Sequence, residues 1–243
     1  MHHKFLDEHS DIDSWLHTID PRVKVVVFFS IIIAVMAVPF AKPLPLILYG
    51  LLAVFFLAAS KLPLSFVGKR LLGILPFVLV IALSFFFQSP VNRFFFLCYV
   101  MSKAALSILC MILLVSTTHF VDLLKGFQKL RCPGLLIMVF SFMYRYLYLF
   151  IDELMKMNQA REARSVGHMP WLKARTLANI VGHLFIRSYE RGEGVYLAMC
   201  ARGYTGQART MHEFALQRKD YIFVITVFLY LAVTQAVNYV KSY

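Results

Sequence analysis

Long apolar runs alternate with short polar links along the chain. Five runs, residues 25–41, 44–60, 71–88, 94–116 and 221–237, carry almost no charge. Each is close to the ~20 apolar residues that a helix needs to cross a bilayer. The pattern therefore predicts an all-α integral membrane protein with about five transmembrane helices. Pro21, Pro39, Pro43, Pro45, Pro63 and Pro90 fall at or near the ends of runs, where a missing N–H is tolerated. Pro76 falls inside the third run and predicts a kink there.

Residues 117–220 follow a different pattern. After "THFVDLL" the chain breaks at "RCPG", and a helix-compatible run then extends from Leu135 to about Arg164 with no internal Pro or Gly. A second break, "VGHMP", precedes a run starting near Pro170, a favoured first helical residue. In it Leu177, Ile180, Val181, Leu184 and Phe185 recur at helical spacing and make one apolar stripe, with Asn179, His183 and Arg187 turned away. Gly192 and Gly194 are its weak points. Three regions follow: residues 1–116 with four spans, 117–220 with long helices outside the bilayer, and 221–243 with the last span and tail.

Charge decides how the spans are oriented and whether residues 135–151 form a sixth. With five spans and a cytoplasmic N-terminus, the inside segments are 1–24, 61–70 and 117–220. These hold Lys4, Arg22, Lys24, Lys61, Lys69, Arg70 and the basic residues between positions 125 and 219, while the outside loops hold only Lys42 and Arg93, with Lys241 on the tail. That is the positive-inside distribution. A crossing by 135–151 would put the residues from Lys156 to Lys219 outside and erase most of the asymmetry. This stretch also contains Arg145 and ends in "DELMK". It is read as lying along the membrane or against protein, giving a multi-pass inner-membrane protein with its N-terminus in and its C-terminus out.

Composition agrees with this reading. The chain is 60% hydrophobic, with a mean hydropathy of +0.69, against about half apolar for a soluble domain. The first twenty residues are polar and acidic and lack the apolar core of a cleavable signal. Most of the net charge of +12 lies on the cytoplasmic side, where anionic headgroups account for it without nucleic acid. Cys98, Cys110, Cys132 and Cys200 have no C-x-x-C spacing, and the histidines are scattered, so neither a disulfide framework nor a metal site is expected. There is no Walker A loop, G-x-S-x-G elbow or H-E-x-x-H pair, so the known phosphate, acyl and zinc chemistries lack their parts.

Two short units remain. "AREARS", residues 160–165, and "AMCARG", residues 198–203, share the skeleton Ala-x-x-Ala-Arg-small, and each ends a long helical run. Small alanines allow close approach to a partner. The negative end of a helix dipole favours a cation, so Arg164 and Arg202 sit in stabilising places. Gly203 can take the left-handed conformation that stops a helix. Each unit makes a narrow tip with one fork-shaped donor, suited to a groove that holds a carboxylate; solvated helix caps are the plain alternative. Lys103, inside the fourth run, is a functional candidate as an intramembrane charge, or simply pairs within the bundle. Asp152, Glu153, Glu190 and Glu193 are expected to make surface pairs with Lys156, Arg187 or Arg191.

The paired units resemble the Ala-Arg-Gly signatures of the T component of energy-coupling-factor (ECF) transporters. "LHTIDPRVKVVV" near the start and "RSYERGEGVYLAMCARGY" late in the chain resemble the cobalt-type, CbiQ-like T subunits. The similarity covers nearly the whole length, and it departs from the family pattern at Ser165, where glycine is usual. It implies a non-catalytic membrane scaffold whose long coupling helices dock two cytoplasmic ABC ATPases and tilt a metal-binding S component. A small accessory membrane subunit is compatible with this. The implied docking residues are Ala163, Arg164 and Ser165 for the first tip and Ala201, Arg202 and Gly203 for the second, with residues 135–151 facing the S component. ATP and Mg would be used by the partners, and this chain would bind no cofactor. The remaining alternatives are a T subunit serving a vitamin-type S component, and a stand-alone membrane carrier or enzyme.

Overall fold

The computed structural model describes residues 14, 16, 19–39, 43–86, 93–130, 132–164, 170–206 and 217–240. Among these the chain forms eight helices in order: α1 (Pro21–Met36), α2 (Pro43–Ser60), α3 (Leu64–Phe86), α4 (Arg93–Ser116), α5 (Phe120–Lys129), α6 (Gly134–Arg164), α7 (Pro170–Ala201) and α8 (Arg218–Val240). They fall into two compact units. One holds α6 and α7, residues 131–211, and the other holds α1–α5 and α8.

The larger unit is built around α1, which packs against α2, α4, α5 and α8. Asp20 starts this helix, accepting from the Arg22 N–H, and Pro21 occupies the first turn. The helix therefore begins four residues before the apolar run predicted from 25, and it ends at Met36 rather than Ala41. Pro39 supplies one reason for the early end, because the residue before a proline disfavours helical backbone. Val25, Val27, Phe28, Ile31 and Val35 are buried at the centre of the unit. Phe56 of α2 stacks between Phe28 and Phe223 of α8, with ring centroids 5.7 and 5.8 Å apart. Two hydroxyls inside the bundle pair within it. Tyr230 Oη donates to the Leu48 carbonyl at 2.7 Å, and Thr234 Oγ1 donates to Tyr49 Oη at 2.9 Å. Helix α3 starts at Leu64, seven residues before the expected run, taking Lys69 and Arg70 into its first turns, and it continues through Pro76.

Three described helices are long and apolar enough to cross a membrane by length and composition: Phe94–Ser116 of α4, Gly134–Arg164 of α6 and Arg218–Ala236 of α8; Leu44–Ser60 is a shorter apolar helix. Of the five expected spans, those at 94–116 and 221–237 are among these three; the runs of α1, α2 and α3 are not, and α6 is a candidate that the expectation did not count. Helix α1 has 16 residues, about 24 Å of rise, short of the ~30 Å hydrocarbon core. Helix α6 qualifies on length, although its charge pattern argued for the cytoplasmic side.

The smaller unit is a helical pair. Helix α6 runs 31 residues and α7 runs 32, starting at Pro170 as the sequence predicts and passing through Gly192 and Gly194. Arg187 of α7 forms an ion pair with Glu153 of α6. Tyr204, just beyond α7, donates from its hydroxyl to the Met138 sulfur at 2.8 Å. The late part of α7 thus meets the early part of α6, so the two run antiparallel. The predicted apolar stripe of α7 is mostly uncovered within this unit: Ile180 is buried, while Val181 and Phe185 are 61% and 71% exposed.

Candidate functional site

The second arginine tip is a fully formed helix stop. The Arg202 N–H donates to the Met199 carbonyl at 3.0 Å, the Gly203 N–H to the Cys200 carbonyl at 3.0 Å, and the Tyr204 N–H to the Met199 carbonyl at 3.1 Å. Gly203 has φ +79°. These are the paired bonds of a Schellman ending, with the glycine supplying the left-handed turn at no Cβ penalty. Backbone donors thereby satisfy the Met199 and Cys200 carbonyls. Arg202 is not required as a donor there, and it is exposed together with Ala201 and Gly203. Its charge still lies at the negative end of a 32-residue helix. Two turns back, Tyr196 hydrogen-bonds with Cys200, which raises the phenol above its usual range.

The first tip ends α6. Ala163 and Arg164 are exposed in its last turn, and Arg161 and Arg164 are the basic residues there. Arg161 contacts Glu162 at 3.7 Å, and Asn158 donates to Glu162 at 2.9 Å, so the carboxylate of this turn faces other groups. Ser165 lies outside the described residues. Because the helices are antiparallel and Tyr204 reaches Met138, the two arginines sit near opposite ends of α6. The 26 residues from Met138 to Arg164 put them roughly 40 Å apart at the α-helical rise. The two exposed guanidinium forks are thus well separated along the helical pair.

Lys103 joins neither tip. Its Nζ donates to the carbonyls of Met36 at 2.8 Å and Val38 at 2.9 Å, at the end of α1. Of the expected surface pairs, Glu153 finds Arg187, across helices rather than along one.

Sequence reasoning missed a buried polar cluster at the start of α1. The Asp20 N–H donates to Asp220 Oδ1 at 3.1 Å, and Asp220 Oδ2 accepts from the Gln217 N–H at 2.8 Å. Lys24 Nζ donates to the Thr117 carbonyl at 2.9 Å. Asp20, Lys24, Thr117 and Asp220 are each at most 6% exposed. The carboxylates of Asp122, Asp20 and Asp220 all attract the Lys24 ammonium. Against the same turn packs α5, where a Cβ on Gly126 would meet the Arg22 nitrogen at 3.5 Å and the Pro21 carbonyl carbon at 3.6 Å. The signals were present in "IDPRVK" and "RKD". An Asp before a Pro marks a helix start, and an acid in the first turn of a helix suits the dipole.

Comparison with known proteins fits this arrangement. The profile of a family described as cobalt transport protein matches residues 13–213. The energy-coupling factor transporter transmembrane protein of Bacillus selenitireducens is 29% identical over 90% of this chain and 91% of its own. The cobalt transport protein of Rhodobacter capsulatus is 31% identical over 40% of each chain. The nickel permease LarQ of Lactiplantibacillus plantarum is 37% identical over 37% of this chain and 33% of its own. With a family profile covering most of its length and a full-length transporter relative, the chain belongs to the cobalt transport protein family and is an ECF transporter T component of the CbiQ type.

Proposed function

We propose that this T component couples ATP hydrolysis by two cytoplasmic ABC ATPases to the movement of a metal-binding S component, with cobalt or nickel as the imported ion. The observation that carries this is the pair of exposed arginine tips. Arg202 sits on a helix end already satisfied by its own backbone, and Arg164 sits roughly 40 Å away along α6. An exposed fork with no ion pair among the described residues is available to a partner carboxylate, and two separated forks match two copies of one ATPase. In each socket Ala163 or Ala201 lets the helix approach closely, and Gly203 ends the second helix so that Arg202 leads. Ser165 takes the place of Gly203 at the first tip.

The chain itself hydrolyses nothing; ATP and Mg are handled by the ATPases. Helices α6 and α7 lie on the cytoplasmic side, which keeps Lys156, Arg161, Arg164, Arg187, Arg191 and Arg202 inside in accord with the positive-inside rule. The apolar face of α6 formed by Leu135, Leu136, Val139, Phe140 and Met143 is exposed and faces the S component. A metal cargo is supported by the names of two relatives, a cobalt transport protein and a nickel permease.

Co-purification tests the proposal. The chain is expressed with its ATPases and S component, extracted in mild detergent and recovered by a tag. Two ATPases per chain are expected, fewer with Arg164→Ala or Arg202→Ala, and none with the double change while the chain still inserts. Removing one member of a buried pair costs about 3–5 kcal/mol, enough for the loss to be plain. Undiminished recovery with the double variant refutes docking through the arginines.

A further inference from the structure

The chain passes between its two units at two places. Helix α5 is the last helix before residues 131–211, and α8 is the first after them. Both are fastened to one short segment, residues 20–24 at the start of α1. On the entering side, Gly126 of α5 rests on the backbone of Pro21 and Arg22, where a Cβ would be in van der Waals contact and a larger side chain would have to displace the helix. Lys24 also holds the Thr117 carbonyl, three residues before α5 begins. On the leaving side, Asp220 in the first turn of α8 takes the Asp20 N–H with one carboxylate oxygen and the Gln217 N–H with the other. The segment thus ties together stretches that are 200 residues apart in sequence.

We infer that residues 20–24 form a positioning clasp that holds α5 and α8, the helices flanking the coupling helices in sequence, to the membrane bundle, and that uptake per ATP hydrolysed depends on it. The inference rests on the proposed coupling role. Energetics separate the clasp from ordinary core packing. Burying Lys24, Asp20 and Asp220 carries a desolvation penalty that an apolar contact of the same size would avoid, and replacing such groups by apolar ones is often neutral or stabilising. What the charged set provides instead is directional attachment: each bond is made to one named backbone group. With α5 and α8 both pinned to α1, itself in contact with α2, α4, α5 and α8, a load on either helix is shared by the bundle.

The test is the number of ions taken up per ATP hydrolysed, in proteoliposomes holding the full complex. Two variants loosen the clasp differently. Gly126→Leu forces α5 away from Pro21 and Arg22, with Gly126→Ala as the variant that fits. Asp220→Asn keeps the volume but turns one of the two acceptors into a donor. Both are expected to retain the ATPases at wild-type stoichiometry and to hydrolyse ATP within about twofold of wild type. Uptake per ATP should fall by about tenfold, the scale of losing a buried hydrogen bond to a charged group. Gly126→Ala should restore the ratio. If Gly126→Leu does not insert, Asp220→Asn alone decides. An unchanged ratio, or hydrolysis and uptake falling together, overturns the clasp. Failure of the wild-type chain to recover ATPases would instead overturn the coupling role itself.

Discussion

Lys103 reaches from α4 to the end of α1, where its Nζ donates to the Met36 carbonyl at 2.8 Å and the Val38 carbonyl at 2.9 Å. Tyr99, one turn earlier, donates from its hydroxyl to the same Val38 oxygen at 2.5 Å, and its ring lies 5.1 Å from the ammonium. The end of any helix leaves carbonyls without an intrahelical partner, and here those of Met36 and Val38 find donors on α4. A cation at the negative end of the helix satisfies both the hydrogen bonds and the dipole.

Lys103→Met should therefore lower the thermal stability of the detergent-solubilised chain by about 2 kcal/mol, as expected for losing charge-assisted bonds to two carbonyls, one of which Tyr99 still serves. Lys103→Arg should recover most of it and transport normally. Loss of uptake in Lys103→Arg with an unchanged melting temperature would show that the ammonium serves transport rather than the end of α1.

The ending of α7 makes a sharper claim about Gly203. At φ +79° an alanine carries a penalty of about 1–2 kcal/mol for the left-handed backbone, although nothing crowds its Cβ. Gly203→Ala should fray the last turn, disturb the bonds from Gly203 and Tyr204, and displace Arg202. Expected is weaker ATPase recovery than wild type but stronger than Arg202→Ala, with no change in membrane insertion. Equal recovery for Gly203→Ala and wild type would mean that the position of Arg202 does not depend on the turn.

Most helices could be read from the sequence because bilayer length and proline punctuation constrain them together. Helices α2 and α4 match the apolar runs at 44–60 and 94–116 within a residue, and α7 starts at its proline. The ends of α1 and α3 were misplaced because hydropathy cannot see capping. Asp20 and Pro21 extend α1 backward, and Lys69 and Arg70 ride inside α3 despite their charge. The Gly203 stop was foreseeable from residue type alone. The polar cluster at residues 20–24 was not, because its partners Thr117 and Asp220 lie 93 and 200 residues from the groups they bind. No local pattern encodes such pairing. Helix α5 was overlooked for a simpler reason: Phe120, Leu123, Leu124 and Phe127 recur at helical spacing, but its ten residues fall far short of the bilayer length that picks out the other runs.

The Arg187–Glu153 pair holds α7 against α6, and its contribution should be small. The Arg187 side chain is 59% exposed and that of Glu153 26%, a setting in which such pairs contribute about 0.2–1 kcal/mol. A double-mutant cycle with Glu153→Gln and Arg187→Gln, read by thermal unfolding, should give a coupling in that range that shrinks in high salt. The charge-reversed pair, Glu153→Arg with Arg187→Glu, should perform like wild type in ATPase recovery. A coupling several times larger would mean that this contact governs how the two arginine tips are spaced.

Asp20 has a side-chain and a backbone attachment that one substitution can separate, its carboxylate also attracting Lys24. Its side chain caps α1 through the Arg22 N–H at 2.9 Å, whereas its backbone N–H, which no side-chain change removes, binds Asp220. Asp20→Ala should cost about 1–2 kcal/mol through the lost cap, and Asp20→Ser, which can still accept from the backbone, should recover most of that. Neither change deletes the bond to Asp220, so both variants should keep a near-normal ratio of uptake to hydrolysis at temperatures where they remain folded. Asp220→Asn should show the opposite pattern, a modest change in melting with a large change in the ratio. If Asp20→Ala uncoupled transport as strongly as Asp220→Asn, the start of α1 itself, rather than its tie to α8, would be the element that sets coupling.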